Sequence, residues 1–164
     1  MQRIDKNNYY LDIAETVLER STCLRRMYGA IIVRNDEIVS TGYNGAPRGR
    51  ANCVDMGYCI RKKLGIPSGE RYELCRSVHA EANCIISAAR GETLGATLYM
   101  ACRNPETGAL IPDSTSCSMC RRLIINAGME KVVIRDTKTE YRIVDVQKEW
   151  IDDDYSILDE TFVL

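Results

Sequence analysis

One histidine, one glutamate and two cysteines have the types and spacing of a metal-dependent hydrolytic site. His79, the single histidine of the chain, stands two residues before Glu81, and Cys117 and Cys120 form a Cys-x-x-Cys pair. One imidazole and two thiolates suit zinc, and three protein ligands leave the fourth tetrahedral position open, as catalytic zinc sites do. Zinc makes a water in that position acidic enough to be a nucleophile near neutral pH, and Glu81 can carry its proton. The pattern predicts a catalytic zinc held by His79, Cys117 and Cys120, with Glu81 as the catalytic acid and base.

Each part of this pattern also has an ordinary explanation. A lone histidine is usually a surface or hydrogen-bonded core residue, and a lone Cys-x-x-Cys can be a redox pair or half of a zinc knuckle. Both motifs, however, open predicted helices, whose N-termini lower thiol pKa values, and their order is the signature of zinc deaminases. A zinc-stabilised binding module without catalysis is the competing class. Such a module would need a fourth ligand and has no need of a carboxylate at Glu81.

The elements that position these motifs alternate between helix and strand. Helices are predicted at 7–20, 79–90 and 117–128, the last closing at Gly128. Strands are predicted at 28–33, 37–43, 95–101, 131–136 and 141–146, with a hairpin turn at 34–37. Long loops are predicted at 45–76, with room for a short helix, and at 103–116, and a solvated end at 152–160. This order predicts an α/β fold with a central sheet between helices, in one domain of residues 1–164 with an irregular tail from about 150.

Composition limits the class of protein. The chain has 164 residues, 45% of them apolar and 27% charged, and a formal net charge of -1. That charge disfavours an extended nucleic-acid partner. The sequence has no apolar run of membrane-spanning length and no signal peptide at its start, so we expect a cytoplasmic protein without membrane contact. Eight cysteines in such a protein favour metal ligands or buried thiols over disulfides.

Six segments of the chain resemble the zinc-dependent cytidine and deoxycytidylate deaminase superfamily, most of all its deoxycytidylate (dCMP) deaminases. They are STC (21–23), YGAIIV (28–33), STGYNGAPRG (40–49), CRSVHAEAN (75–83), ATLYM (96–100) and CSMCRRLIINAG (117–128). The resemblance implies a three-layer α/β/α fold with a mixed five-stranded sheet, zinc at two helix N-termini, and a homo-oligomer. It also implies hydrolysis of dCMP to dUMP and ammonia, which supplies dUMP for thymidylate synthesis.

Two departures from the family pattern keep other substrates open. Ser116 stands where the family usually has proline before the first cysteine of the pair, and residues 103–116 are an insertion beside the predicted pocket. Related deaminases act on cytosine, cytidine, a riboflavin precursor or tRNA adenosine, the last of which suits the net charge poorly.

Substrate contacts are expected at Asn44, within the GYNGAPRG segment, and at Arg25, directly after STCL. The resemblance assigns Asn44 to the sugar, although Asn-Gly is also a common turn. A 5'-phosphate needs a cation or backbone amides, and relatives carry arginine at the position of Arg25. The resemblance also implies a site near 42–49 at which dCTP activates and dTTP inhibits. Six arginines lie near the recognised motifs: Arg25, Arg26, Arg48, Arg50, Arg76 and Arg121.

Four further cysteines could hold a second, structural zinc. Cys23 follows the first helix, Cys53 and Cys59 lie in the 45–76 loop, and Cys75 precedes the His79 helix. Four thiolates close a tetrahedral site, and a metal would order a long loop of little apolar content. The resemblance matches Cys23, Cys53 and Cys75 to cysteines of bacterial relatives. The alternative is four unligated thiols.

Overall fold

Five strands form one mixed sheet in the structure, a computed structural model that describes residues 1–152. The strands are β1 (Met27–Arg34), β2 (Glu37–Tyr43), β3 (Thr97–Arg103), β4 (Lys131–Arg135) and β5 (Tyr141–Asp145). They are ordered β2-β1-β3-β4-β5, with β3 and β4 parallel and the other neighbours antiparallel. The helices are α1 (Lys6–Leu18), α2 (Cys53–Met56), α3 (Ile60–Lys63), α4 (Ala80–Ser87), α5 (Arg90–Thr93) and α6 (Ser118–Asn126). A 3₁₀ turn covers Tyr72–Leu74, and a π-helical turn covers Gln147–Ile151.

Helices cover both faces of the sheet, because successive strand residues point to opposite sides. In β1, Ala30 and Ile32 belong to the core formed with α4 and α6, whereas Ile31 and Val33 pack with α1. The predicted three-layer α/β/α arrangement is therefore confirmed.

Local sequence signals correctly predict several boundaries. The hairpin turn lies at Asn35 and Asp36, whose φ angles of 52° and 62° suit a two-residue hairpin loop. The chain leaves α6 through Gly128 at φ 77°, a left-handed conformation that glycine adopts without strain. The strand predicted at 141–146 is also confirmed, as β5.

The helix predicted over 79–90 is shorter in the structure. α4 ends at Ser87, Ala88 and Ala89 are extended, and α5 begins at Arg90. The N–H of Ala89 donates to the Glu92 carboxylate at 2.7 Å, so the acidic side chain caps a new helix start. This capping outweighs the helix propensity of the two alanines.

Close packing at Gly42 sets the position of α4. A side chain at Gly42 would collide with the backbone of Ala80 and Cys84, so α4 lies directly on β2. Just after β2, Gly45 pairs with Val78 through two backbone hydrogen bonds of 3.2 and 2.7 Å. The chain thus makes no hairpin after Asn44. The 45–76 loop, which carries α2 and α3, begins and ends beside the start of α4.

The solvated end predicted at 152–160 falls outside the described residues, apart from Asp152. None of the helices in the described part of the chain has the length and apolar character needed to span a bilayer.

Candidate active site

The N-termini of α4 and α6 meet and bring three metal-ligating side chains together. His79 is the N-cap residue of α4, Cys117 is the N-cap residue of α6, and Cys120 lies in the first turn of α6. The Nδ1 atom of His79 is 3.5 Å from the Sγ atoms of both cysteines. Among residues 1–152, this is the group whose ligand atoms all lie within 4.8 Å of one another. One nitrogen and two sulfurs at this spacing fit a zinc ion with three protein ligands.

Hydrogen bonds within the cluster favour a thiolate at Cys117. The contact with the Cys120 thiol holds the pKa of Cys117 well below its ordinary value, despite burial, and raises the pKa of Cys120. Burial lowers the pKa of His79, but its contacts with Cys117 and Cys75 outweigh this effect and raise the pKa to about 10. Because zinc ligands must be deprotonated, metal binding at this cluster releases protons.

Glu81 lies in the first turn of α4, beside the cluster, and only 4% of its surface is exposed. Burial raises the pKa of its carboxyl, and contacts with His79 and the Ser116 hydroxyl oppose that shift. A carboxyl with a raised pKa can both accept and release a proton near neutral pH.

A cavity of ≈ 340 Å³ opens onto this cluster. Its wall includes His79, Glu81 and Cys117, and the insertion contributes Asn104, Ile111 and Thr115. Glu81 is the one carboxylate among the described lining residues, whereas five cations line the same space. The cavity therefore favours an anionic ligand. The five cations are Arg25, Arg26, Arg61, Lys62 and Arg76.

Asn44 and Arg25, the predicted substrate contacts, both line the cavity. The Oδ1 atom of Asn44 accepts from the Ser21 hydroxyl at 2.5 Å and from the Tyr28 N–H at 2.9 Å. Its Nδ2 atom donates to the carbonyl of Arg26 at 2.9 Å. The amide thereby holds the β1 and β2 ends together and keeps one further N–H for a ligand.

The other arginines near the motifs divide into two groups. Arg26 and Arg76 line the cavity, whereas Arg48, Arg50 and Arg121 do not. Arg121 instead holds the segment before Cys117: its Nε donates to the Ser116 carbonyl at 3.0 Å, and its guanidinium lies 5.1 Å from the Trp150 ring centre. These contacts fix the backbone at the position where the family usually has a proline.

Cys23, Cys53, Cys59 and Cys75 all line the cavity. Burial raises the pKa of Cys53, and so does the charge of the other three cysteines, which shows that the four thiols are neighbours. Within residues 1–152, His79, Cys117 and Cys120 form a group of three residues whose ligand atoms all lie within 4.8 Å of one another. The four cysteines of the loop region do not form such a group. The structure therefore brings the four thiols to one region of the cavity wall, with wider spacing than in the His79 cluster.

Arg61 and Tyr72 are among the cavity residues that sequence reasoning missed. The Tyr72 ring meets His79 edge-on, with ring centres 4.7 Å apart. The guanidinium of Arg61 lies over the same Tyr72 ring, 4.4 Å from the ring centre. Both residues come from the 45–76 loop, whose sequence has no periodicity that would predict where they point.

The chain matches one protein family and several curated relatives. Residues 4–136 match the family described as the cytidine and deoxycytidylate deaminase zinc-binding region. The deoxycytidylate deaminase of Mycobacterium phage D29 is 38% identical over 138 residues, which cover 81% of this chain and 96% of that protein. The deoxycytidylate deaminase of Schizosaccharomyces pombe is 32% identical over 127 residues, 77% of this chain but 36% of that protein.

Two solved structures share the fold. The dCMP deaminase of cyanophage S-TIM5, solved in complex with dCMP and dUMP, superposes with a TM-score of 0.56 at 23% identity, covering 98% of this chain and 94% of that one. The cytidine deaminase of Mycobacterium tuberculosis gives a TM-score of 0.51 at 17% identity, covering 91% and 97% of the two chains. At these identities the two structures establish the fold alone.

Proposed function

This chain belongs to the zinc-binding cytidine and deoxycytidylate deaminase family, and we propose that it hydrolyses dCMP to dUMP and ammonia. The observation that carries the proposal is Glu81, a buried carboxylate beside three zinc-type ligands, in a cavity whose other charged residues, among those described, are arginines and a lysine. The relatives named as deoxycytidylate deaminases support the choice of nucleotide. Ammonia release from dCMP by the purified protein tests the proposal.

His79, Cys117 and Cys120 would hold the zinc ion. When bound, the ion would lower the pKa of a water far below its ordinary value, to about 7, and would so supply a nucleophile near neutral pH. The three residues supply this ion with one neutral imidazole and two thiolates, and that ligand set compensates the charge of the ion. The N-terminus of α6 favours the thiolate form at Cys117.

Glu81 moves the protons. It takes one proton from the attacking water and delivers it to N3 of the pyrimidine ring, where it stays in dUMP. It then takes the remaining proton from the hydroxyl on C4 and delivers it to the amino group, which leaves as ammonia while the C4 carbonyl forms. Its burial supports this role, because the raised pKa lets the carboxyl hold a proton between the two transfers.

Asn44 and Arg25 bind the rest of the nucleotide. Asn44 directs its remaining amide N–H at a sugar hydroxyl, and its three hydrogen bonds to the surrounding chain keep the amide in one orientation. Arg25 contributes charge to the 5'-phosphate from the cavity wall, where its guanidinium also donates to the carbonyl of Ile66 at 3.4 Å.

A second zinc, held by four thiolates, orders the 45–76 loop. The support is that all four thiols line one cavity, and that burial and the charge of its three neighbours both raise the pKa of Cys53. A structural zinc ion has all four coordination positions filled by protein ligands. The loop has few apolar residues that could order it without a metal. The ligands are Cys23, Cys53, Cys59 and Cys75.

The proposed function includes regulation, in which dCTP activates and dTTP inhibits at a site near residues 42–49. It also includes assembly of the chain as a homo-oligomer. The support for both is the GYNGAPRG segment and the resemblance that it carries. Ammonia release at limiting dCMP, measured with and without dCTP or dTTP, tests the regulation, and the mass in solution tests the assembly.

A further inference from the structure

Arg61 is a buried cation that forms no ion pair with a carboxylate in the part of the chain that the structure describes. Only 5% of its surface is exposed. No carboxylate of residues 1–152 lies within ion-pair distance of it, while other buried arginines such as Arg135 have such partners. Its Nη2 atom donates to the carbonyl of Pro67 at 3.1 Å, but its Nε is buried with no hydrogen-bond partner.

Such a group is unfavourable unless something else compensates it. Arginine is almost never fully buried without a partner, because removal of a charge from water is strongly unfavourable. The Tyr72 ring, 4.4 Å from the guanidinium, offsets only part of that penalty. One carbonyl and one ring leave most of the five N–H donors of the guanidinium without an acceptor. These free donors suit an anionic ligand, which a guanidinium binds by charge-assisted hydrogen bonds.

The anion must enter from the cavity that contains the candidate active site. Arg61 and His79 line the same space, and the single ring of Tyr72 lies between them. We propose that Arg61 determines specificity for a nucleoside monophosphate by binding the substrate's phosphate through its planar guanidinium. This inference rests on the proposed function, because it assigns the phosphate contact within the same site.

Arg61 suits this role better than the other arginines of the wall. Arg25, Arg26 and Arg76 are each partly exposed to solvent, and Arg76 donates its Nε to the Ala51 carbonyl at 2.6 Å. Water compensates those three charges before a ligand arrives. A desolvated guanidinium with free donors gains more from a phosphate, which it can bind with two parallel hydrogen bonds.

Arg61→Met separates a phosphate-binding role from a structural one. Methionine fills a similar volume without a charge, and replacement of a buried charge by an apolar side chain is often neutral or stabilising. The variant should keep its thermal stability, and its kcat/KM for dCMP should fall about 10- to 100-fold relative to that for deoxycytidine. Lys63→Met, which removes an exposed charge from the same helix, should leave this ratio unchanged.

Binding of inorganic phosphate gives a second readout that needs no turnover. Calorimetry should detect phosphate binding to the unmodified protein and at least about tenfold weaker binding to Arg61→Met and Arg61→Gln. If the unmodified protein deaminates neither dCMP nor deoxycytidine, the proposed function fails, and phosphate binding still tests Arg61. An unchanged ratio or phosphate affinity in the variants would overturn the inference, as would a larger loss in Arg25→Met. Unfolding of both Arg61 variants would assign the residue to the stability of the loop and overturn it as well.

Discussion

Replacement of Glu81 by glutamine should leave the zinc bound and remove almost all turnover. Glutamine keeps the size of the side chain but cannot carry a proton between water, N3 and the amino group. One positioned acid or base contributes about 10²- to 10⁴-fold. Glu81 serves two transfers, is the one carboxylate among the described lining residues, and is 4% exposed, so neither a neighbour nor bulk water replaces it. We therefore expect a loss near 10⁴-fold, or about 5.5 kcal/mol in the barrier.

The assay is ammonia release from saturating dCMP, with zinc content measured on the same samples. The control is Glu37→Gln, because Glu37 is exposed at the start of β2 and its side chain forms no hydrogen bond or ion pair within residues 1–152. Glu81→Gln should match the unmodified protein in zinc content and Glu37→Gln should match it in turnover. A Glu81→Gln protein that keeps its zinc and loses less than about tenfold in turnover would refute the proton-transfer role.

Three further predictions concern the metal and the core. A chelator should abolish turnover and added zinc should restore it; activity that survives in metal-free protein would exclude a zinc mechanism. Metal analysis should give two zinc ions per chain, falling to one in a Cys23→Ser, Cys53→Ser double variant, and a count of one in the unmodified protein would end the second-site hypothesis. Glu15→Gln should lower the free energy of unfolding by about 3 kcal/mol, because it leaves Arg135, which is fully buried and 2.8 Å from Glu15, with a weaker counter-charge. Urea unfolding measures this loss, and a change below about 1 kcal/mol would contradict it.

Much of the fold follows from local sequence. The hairpin at Asn35 and Asp36 and the end of α6 at Gly128 depend on backbone conformations that a few residues determine. The prediction of one continuous helix over 79–90 was wrong, because side-chain capping starts a new helix at Arg90. The Glu92 carboxylate caps Ala89, and helix-forming composition alone does not reveal that competition.

The cluster of His79, Cys117 and Cys120 was predictable from the sequence, whereas the positions of Arg61 and Tyr72 in the cavity wall were not. Zinc ligands must be particular residue types at particular spacings, so His79 and the cysteine pair are visible in the sequence, and the structure brings them together. Arg61 and Tyr72 lie in a loop without periodicity, and their positions depend on long-range packing against the start of α4. The sequence also does not reveal how a serine can stand at position 116, where the family usually has proline. In the structure, the Arg121 side chain of the following helix donates to the Ser116 carbonyl and holds this backbone.

Ammonia release from a panel of substrates tests the central claim most directly. The panel contains dCMP, deoxycytidine, cytidine, cytosine, a riboflavin precursor and tRNA, each offered to the zinc-loaded protein. We predict ammonia release from dCMP with a kcat/KM about one to two decades above that for deoxycytidine. This difference is what one charge-assisted hydrogen-bond contact to the phosphate would contribute. Ammonia from another member of the panel, with none from dCMP, would contradict the account and point to the 103–116 insertion as the part of the cavity that selects a different substrate.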